Sequence, residues 1–202
     1  VSRWGGHPAD PRLARMLVAM LCSLRGSVCL YQGEELGLAE AEVPFEDLQD
    51  PYGITFWPNF KGRDGCRTPL PWTDAPLAGF TTGKPWLPIP AEHRAPAVAV
   101  QQDDPHSVLS AFGDFLAWRR TQPALLHGDI QFLDSAEPVL LFQRMLADET
   151  LLLAFNLSAA PVSHPLPAGR WEQVAVPGPD AGTVEGNELR LPPRAVYCAR
   201  RS

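Results

Sequence analysis

Residues 32–105 carry neither a 3.6-residue nor a 2-residue hydrophobic period, yet helical patterns flank them on both sides. A connection of that length without elements of its own is far beyond the usual range and is normally functional. This one follows Ser27–Tyr31 (SVCLY), a short apolar run that reads as a fully buried strand. Ligand sites of α/β barrels sit at the C-terminal ends of their strands. The segment therefore points to a site-bearing loop. It holds two acidic stretches, Glu34–Glu42 and Glu46–Asp50, and the aromatics Phe45, Tyr52, Phe56, Trp57, Phe60 and Trp72.

The flanks are more regular. Asp10-Pro11 is an N-cap followed by Pro at the first helical position. Leu13, Met16, Leu17, Met20, Leu21 and Leu24 then recur at helical spacing, and Gly26 closes the helix. A helix feeding a buried strand is half of a βαβ unit. Pro105–Gln122 is helical again, with Val108, Leu109, Phe112, Phe115, Leu116 and Arg119 on one stripe and Pro123 as its stop. From Gly128 short strand patterns follow: Ile130–Leu133, Val139–Leu146, Thr150–Leu157, Trp171–Val176, Glu188–Leu191 and Ala195–Ala199. The sequence thus predicts α/β followed by all-β, with domains at 1–127 and 128–202. Leu140, Phe142, Leu152, Ala154 and Tyr197, or their alternating neighbours, should line the β core.

Composition narrows the function classes. The 22 prolines, about twice the usual share, gather in 69–105 and 161–193 and agree with irregular backbone there. A net charge of −6 gives no basic face for nucleic acid. No apolar run reaches the roughly 20 residues that span a bilayer, so no membrane partner is expected. Cys22, Cys29, Cys66 and Cys198 form no C-x-x-C pair and read as reduced thiols of a cytoplasmic protein. The opening VSRWGGHPADPR has no signal-peptide h-region and reads as the middle of a domain.

His7, His93, His106, His127 and His164 have no pair spaced three or four apart, so no metal is expected and each reads as solvated or structural. No cofactor motif is present, neither a phosphate loop nor a nucleophile elbow. Asn156-Leu157-Ser158 is a formal sequon at a strand end and reads as without meaning. The carboxylates of 34–50 could serve glycoside hydrolysis or a solvated acidic loop, and spacing does not decide between them. Arg63-Asp64-Gly65-Cys66-Arg67 sets two guanidinium forks and a carboxylate among aromatics. Such forks bind hydroxyls or carboxylates, and aromatics offer flat faces to sugar rings; a structural ion pair is equally open.

The runs YQGEELGL (Tyr31–Leu38), PFEDLQDPYG (Pro44–Gly53), GRDGCRTPLPW (Gly62–Trp72), GFTTGKPWLP (Gly79–Pro88) and FLAWRRTQPAL (Phe115–Leu125) resemble the α-glucosidase and oligo-1,6-glucosidase branch of glycoside hydrolase family 13. The resemblance weakens after Leu157, and Leu70 stands where the family usually has Met. It implies the C-terminal end of a (β/α)8 barrel followed by an antiparallel β-sandwich. Pro11–Arg25 would be the seventh barrel helix, Val28–Tyr31 the eighth strand, 32–105 the loop after it, and His106–Gln122 the eighth helix. The family's nucleophile Asp, acid/base Glu and transition-state-stabilising Asp would all lie upstream of Val1, leaving no catalytic residue in this chain. Arg63 matches the family's arginine of the −1 subsite, with Asp64 orienting it as a second substrate-binding residue and Arg67 supporting the loop. The implied activity is retaining hydrolysis of terminal α-glucose from small α-glucosides or oligosaccharides, with the isolated chain inactive. The alternatives are a trehalose- or isomaltulose-synthase-type transferase of the same family, or a catalytically dead ancillary relative.

Overall fold

Asp10 starts the first long helix as its sequence suggests: its Oδ1 accepts from the Arg12 N–H at 2.9 Å, and Pro11 needs no partner for a missing donor. The computed structural model describes residues 1–6 and 9–202, so the assignment of His7 falls outside the described residues. The helices are α1 (Ser2–Gly5), α2 (Pro11–Ser23), α3 (Pro51–Phe56), α4 (Ala91–Arg94), α5 (Val98–Gln101), α6 (Val108–Arg119) and α7 (Pro123–His127). The strands are β1 (Asp129–Phe132), β2 (Val139–Leu146), β3 (Glu149–Asn156), β4 (Val162–Pro165), β5 (Trp171–Gln173), β6 (Thr183–Glu185), β7 (Glu188–Leu191) and β8 (Val196–Arg201). Among the described residues no helix is long and apolar enough to cross a membrane. Two compact units result, one of 1–14 and 30–110, the other of 15–29 and 111–202.

The first unit is mostly irregular backbone. Buried peptide groups outside helices and sheets still need partners. Backbone groups across turns supply many of them, as Ala41 N does in donating to Gly65 O at 2.9 Å, and side chains supply others. Gln101 Nε2 donates to Leu36 O (2.9 Å) and Pro96 O (2.7 Å), and its Oε1 accepts from Leu109 N (3.0 Å). The buried His93 bridges Ala39 O at 2.8 Å and Thr68 Oγ1 at 3.4 Å, a structural role. Val43, Leu48 and Leu87 form a small apolar cluster.

Val28–Tyr31 departs from expectation. It forms no strand, and Cys29 and Tyr31 are exposed. An apolar run states a preference for burial, but a strand exists only with a ladder partner, and the described residues pair none with it. Pro123, expected only to stop α6, also opens α7, because Pro is favoured in a first helical turn.

The second unit holds most of α2 and α6, the whole of α7, and a β-sandwich that begins at Asp129. A five-stranded sheet runs β1-β2-β3-β8-β5, and a three-stranded sheet runs β4-β7-β6; every strand pairing is antiparallel. Leu141, Leu152, Ala154, Tyr197 and Ala199 of the larger sheet share a core with Leu189 and Leu191 of the smaller. The expected core residues split between two faces. In the register Phe142 opposes Leu153 and Leu140 opposes Phe155, so these lie opposite the face of Leu152, Ala154 and Tyr197. Phe142 stacks on Phe155 with centroids 5.6 Å apart. Beside them Arg144 is buried and donates to Ser23 O (2.6 Å), Gly128 O (2.8 Å) and Asp129 O (3.3 Å). Burial on both faces gives β3 its unbroken apolar run, Leu151–Phe155.

All four cysteines are free thiols. Cys22 and Cys198 are buried, and burial pushes the Cys198 thiol up to about 12. The sequon residue Asn156 is fully buried, its Nδ2 donating to Ala160 O, Leu191 O and Pro192 O.

Candidate active-site loop

The strongest convergence of charged and aromatic groups lies in the first unit, where α3 and the turn Asp64–Cys66 are laced together by two carboxylates. Asp50 caps α3, with Oδ1 accepting from Tyr52 N at 3.1 Å. Its Oδ2 accepts from both Arg63 N and Arg63 Nε at 2.9 Å, and Oδ1 receives Arg63 Nη2 at 3.4 Å. Asp64 returns the exchange: its Oδ2 accepts from Gln49 N (2.6 Å) and Asp50 N (2.7 Å). Gly53 and Gly62 let the two strands of the loop touch. A Cβ at Gly53 would stand 2.6 Å from Lys61 O, and Gly62 has φ +76°.

The ionic pairing has one buried member and one exposed member. The Asp50 side chain is 0% exposed and that of Arg63 is 55% exposed. The hydrogen bond from Arg63, joined by the amides of Tyr52 and Arg63, outweighs burial and holds the Asp50 carboxyl at about 2. Asp50 in turn raises the pKa of Arg63. The Arg63 guanidinium carbon lies 5.9 Å from the centre of the exposed Tyr52 ring, a cation–π distance, and Tyr52 stacks on Phe56.

Arg63 faces a cleft of about 420 Å³ whose lining includes Tyr31, Gln32, Glu34, Glu40 and Cys66. A larger hollow of about 690 Å³ is lined chiefly by apolar groups such as Leu36, Leu38, Pro96 and Val100. Of the acidic stretch, Glu34 accepts from Tyr31 N and Glu35 from Gly33 N, which is local capping of the Glu34–Leu36 turn. Among the described residues no group of three or more His, Cys, Asp or Glu could hold a metal ion.

The structure corrects one expected contact. Arg63 is held by Asp50, not by its neighbour Asp64, whose buried carboxylate turns Oδ2 to the amides of Gln49 and Asp50. Arg67 contributes through its backbone N–H, which donates to Asp64 O at 2.9 Å. Asp50 escaped sequence reasoning since it lies thirteen residues from Arg63, outside any regular period. Besides its place in the acidic stretch Glu46–Asp50 and in the run Pro44–Gly53, its signal is Asp50-Pro51, the same cap-plus-Pro pattern that marked Asp10-Pro11.

Comparisons with known proteins give this geometry its context. The model of the alpha amylase catalytic domain matches residues 1–128, and a domain of unknown function, DUF3459, matches 133–198. A probable alpha-glucosidase of Rhizobium meliloti (strain 1021) is 47% identical over 99% of this chain and 36% of its own length. An oligo-1,6-glucosidase of Heyndrickxia coagulans is 30% identical over 91% of this chain and 37% of its own. The chain thus spans little more than a third of these relatives. The crystal structure of the alpha-glucosyl transfer enzyme XgtA superposes with a TM-score of 0.98 at 67% identity, covering 100% of this chain and 38% of that one. The trehalulose synthase MutB of Pseudomonas mesoacidophila MX-45 gives 0.86 at 27% identity, covering 100% and 41%. A terminal piece of an α/β catalytic domain followed by an antiparallel β domain, matched along at least nine-tenths of its length by each of these relatives, belongs to the α-amylase family, glycoside hydrolase family 13.

Proposed function

We propose that this chain is the C-terminal part of a retaining exo-α-glucosidase that releases terminal glucose from short oligosaccharides or α-glucosides. The observation that carries the reading is Arg63, a half-exposed guanidinium fixed at the edge of a cleft beside aromatic faces. Arg63 supplies the direct contact to a sugar hydroxyl in the −1 subsite. Asp64 serves the same site from beneath by fixing the backbone at Gln49 and Asp50, and Arg67 supports the loop. The chemistry itself needs two opposed carboxyl groups. One carboxylate attacks the anomeric carbon while the acid protonates the departing oxygen; water then resolves the glucosyl ester. We assign those groups, and the strands that would pair with Val28–Tyr31, to sequence preceding Val1. Residues 1–127 then complete the barrel and 128–202 form the appended β domain, a division supported by the family matches and by β1 starting at Asp129. The four free thiols support a cytoplasmic setting.

A second reading has specific support: the 67% identity to XgtA over the whole chain favours glucosyl transfer to an acceptor in place of water. One assay separates the two. The full-length protein is given p-nitrophenyl α-glucoside with and without an acceptor sugar, and glucose and p-nitrophenol are both counted. Equal amounts mean hydrolysis, and glucose falling behind as acceptor rises means transfer. Release of neither product would defeat both readings. Turnover by the 202-residue chain alone would defeat the assignment of the chemistry to preceding sequence.

A further inference from the structure

We propose that Asp50 is the positioning residue of Arg63, so that the two act on substrate as one unit although only Arg63 reaches the cleft. The inference rests on the reading of Arg63 as a sugar-facing donor.

An arginine fork has five N–H donors. Asp50 takes the Nε donor and one at Nη2. The remaining Nη donors are given to no described residue, and the side chain that bears them is 55% exposed. A long flexible side chain left to itself samples many rotamers, and holding it costs entropy that weakens any contact it makes. Here that ordering is built in before substrate arrives. Asp50 grips Nε and Nη2 from one side, and Tyr52 stands 5.9 Å from the guanidinium carbon.

Asp50 can act as an anchor because it is itself fixed at three points, the first of them its cap on α3. Its carboxylate accepts from Tyr52 N and Arg63 N, its own N–H is bound by Asp64, and it caps a helix whose next residue is Pro51. At Gly53 and Gly62 the two arms of the loop are in backbone contact too close for a Cβ. With no side-chain exposure, Asp50 cannot touch the sugar. Its influence on the reaction passes through Arg63 alone. Donors set in advance toward the place where charge develops contribute to the transition state without reorganising during the step.

The test uses the full-length protein with p-nitrophenyl α-glucoside, measuring kcat, KM and melting temperature for Arg63→Ala, Asp50→Asn and the double variant. Each single change is expected to lower kcat/KM roughly ten- to a hundredfold, and the double variant to be no worse than the poorer single. Fold-losses that multiply in the double variant overturn the proposal, since Asp50 then acts apart from Arg63. So does an Asp50→Asn protein with a lowered melting temperature and wild-type kinetics while Arg63→Ala is impaired. Wild-type kinetics for Arg63→Ala defeats the reading of Arg63 itself, a distinct result. A further measurement leaves Asp50 untouched and so holds even if Asp50→Asn does not fold. Guanidinium chloride at low millimolar concentration should restore several-fold activity to Arg63→Ala, whereas ammonium chloride should not, because only a planar fork fits the seat that Asp50 offers. Equal rescue by both ions, or by neither, counts against the proposal.

Discussion

The two units hold their chains together in different ways. In the sandwich, β2, β3 and β8 satisfy one another's peptide groups through a continuous ladder, and apolar side chains close both faces of β3. In the loop unit the longest helix confined to residues 32–105 has only six residues, and the backbone is satisfied by scattered turn hydrogen bonds, such as Ala41 N to Gly65 O and Val98 N to Pro71 O, together with single polar side chains: Gln101, His93, Asp50 and Asp64. The first arrangement is redundant, because a ladder missing one side chain keeps its hydrogen bonds. The second is not, because each of those side chains is the partner of particular peptide groups. The loop unit, with its small apolar cluster of Val43, Leu48 and Leu87, therefore leans more on individual hydrogen bonds than the sandwich does.

The largest effect should come from the sandwich. Phe142→Ala removes a ring stacked on Phe155 and edged by Phe132, and should cost about 3–5 kcal/mol by denaturant unfolding. A loss under about 1 kcal/mol would mean that this face is not a packed core. Next comes Gln101→Leu, close in volume but without donors. It strands Leu36 O, Pro96 O and Leu109 N and should cost roughly 1–3 kcal/mol. Hydrogen exchange should show the Leu109 amide losing protection while the amides of β3 keep theirs. Equal loss in both regions would erase the contrast between the units.

Acid supplies a third handle. The carboxyl of Asp50 titrates at about 2 in the folded loop against an ordinary 3.8, so its contribution is present above pH 3.8 and is lost as pH falls through 2. Aromatic fluorescence of the loop should stay native at pH 4 and change only on approach to pH 2. Asp50→Asn should remove that pH-dependent component. A wild-type transition centred above pH 4 would contradict the geometry at Asp50. The smallest effect belongs to Arg190, which pairs on the surface with Glu188 and Glu185; Arg190→Ala should cost no more than about 1 kcal/mol.

The same contrast governs what could be read in advance. β2 and β7 were legible to the residue, because apolar runs bounded by turn signals are local information. The cap at Asp10 was legible for the same reason. Strands β4 and β6 were not: each is short, at most four residues, and β4 ends in His164-Pro165. Val28–Tyr31 had the composition of a strand, but its ladder partner is not among the described residues. At the candidate site, composition and resemblance marked Arg63, while the identity of its partner lay in the path of an irregular loop. The resemblance pointed to Asp64, and the chain brought Asp50 instead.

Asn156 carries a last consequence, for production in a eukaryotic secretory host. Its amide nitrogen is occupied by three carbonyls and its side chain is sealed from solvent, so the folded protein has nowhere to place a glycan. A sugar can be attached there only before β3 and β8 have closed over the position. Glycan occupancy at Asn156 would then work as a clock, reporting what fraction of newly made chains met the transferase before they folded.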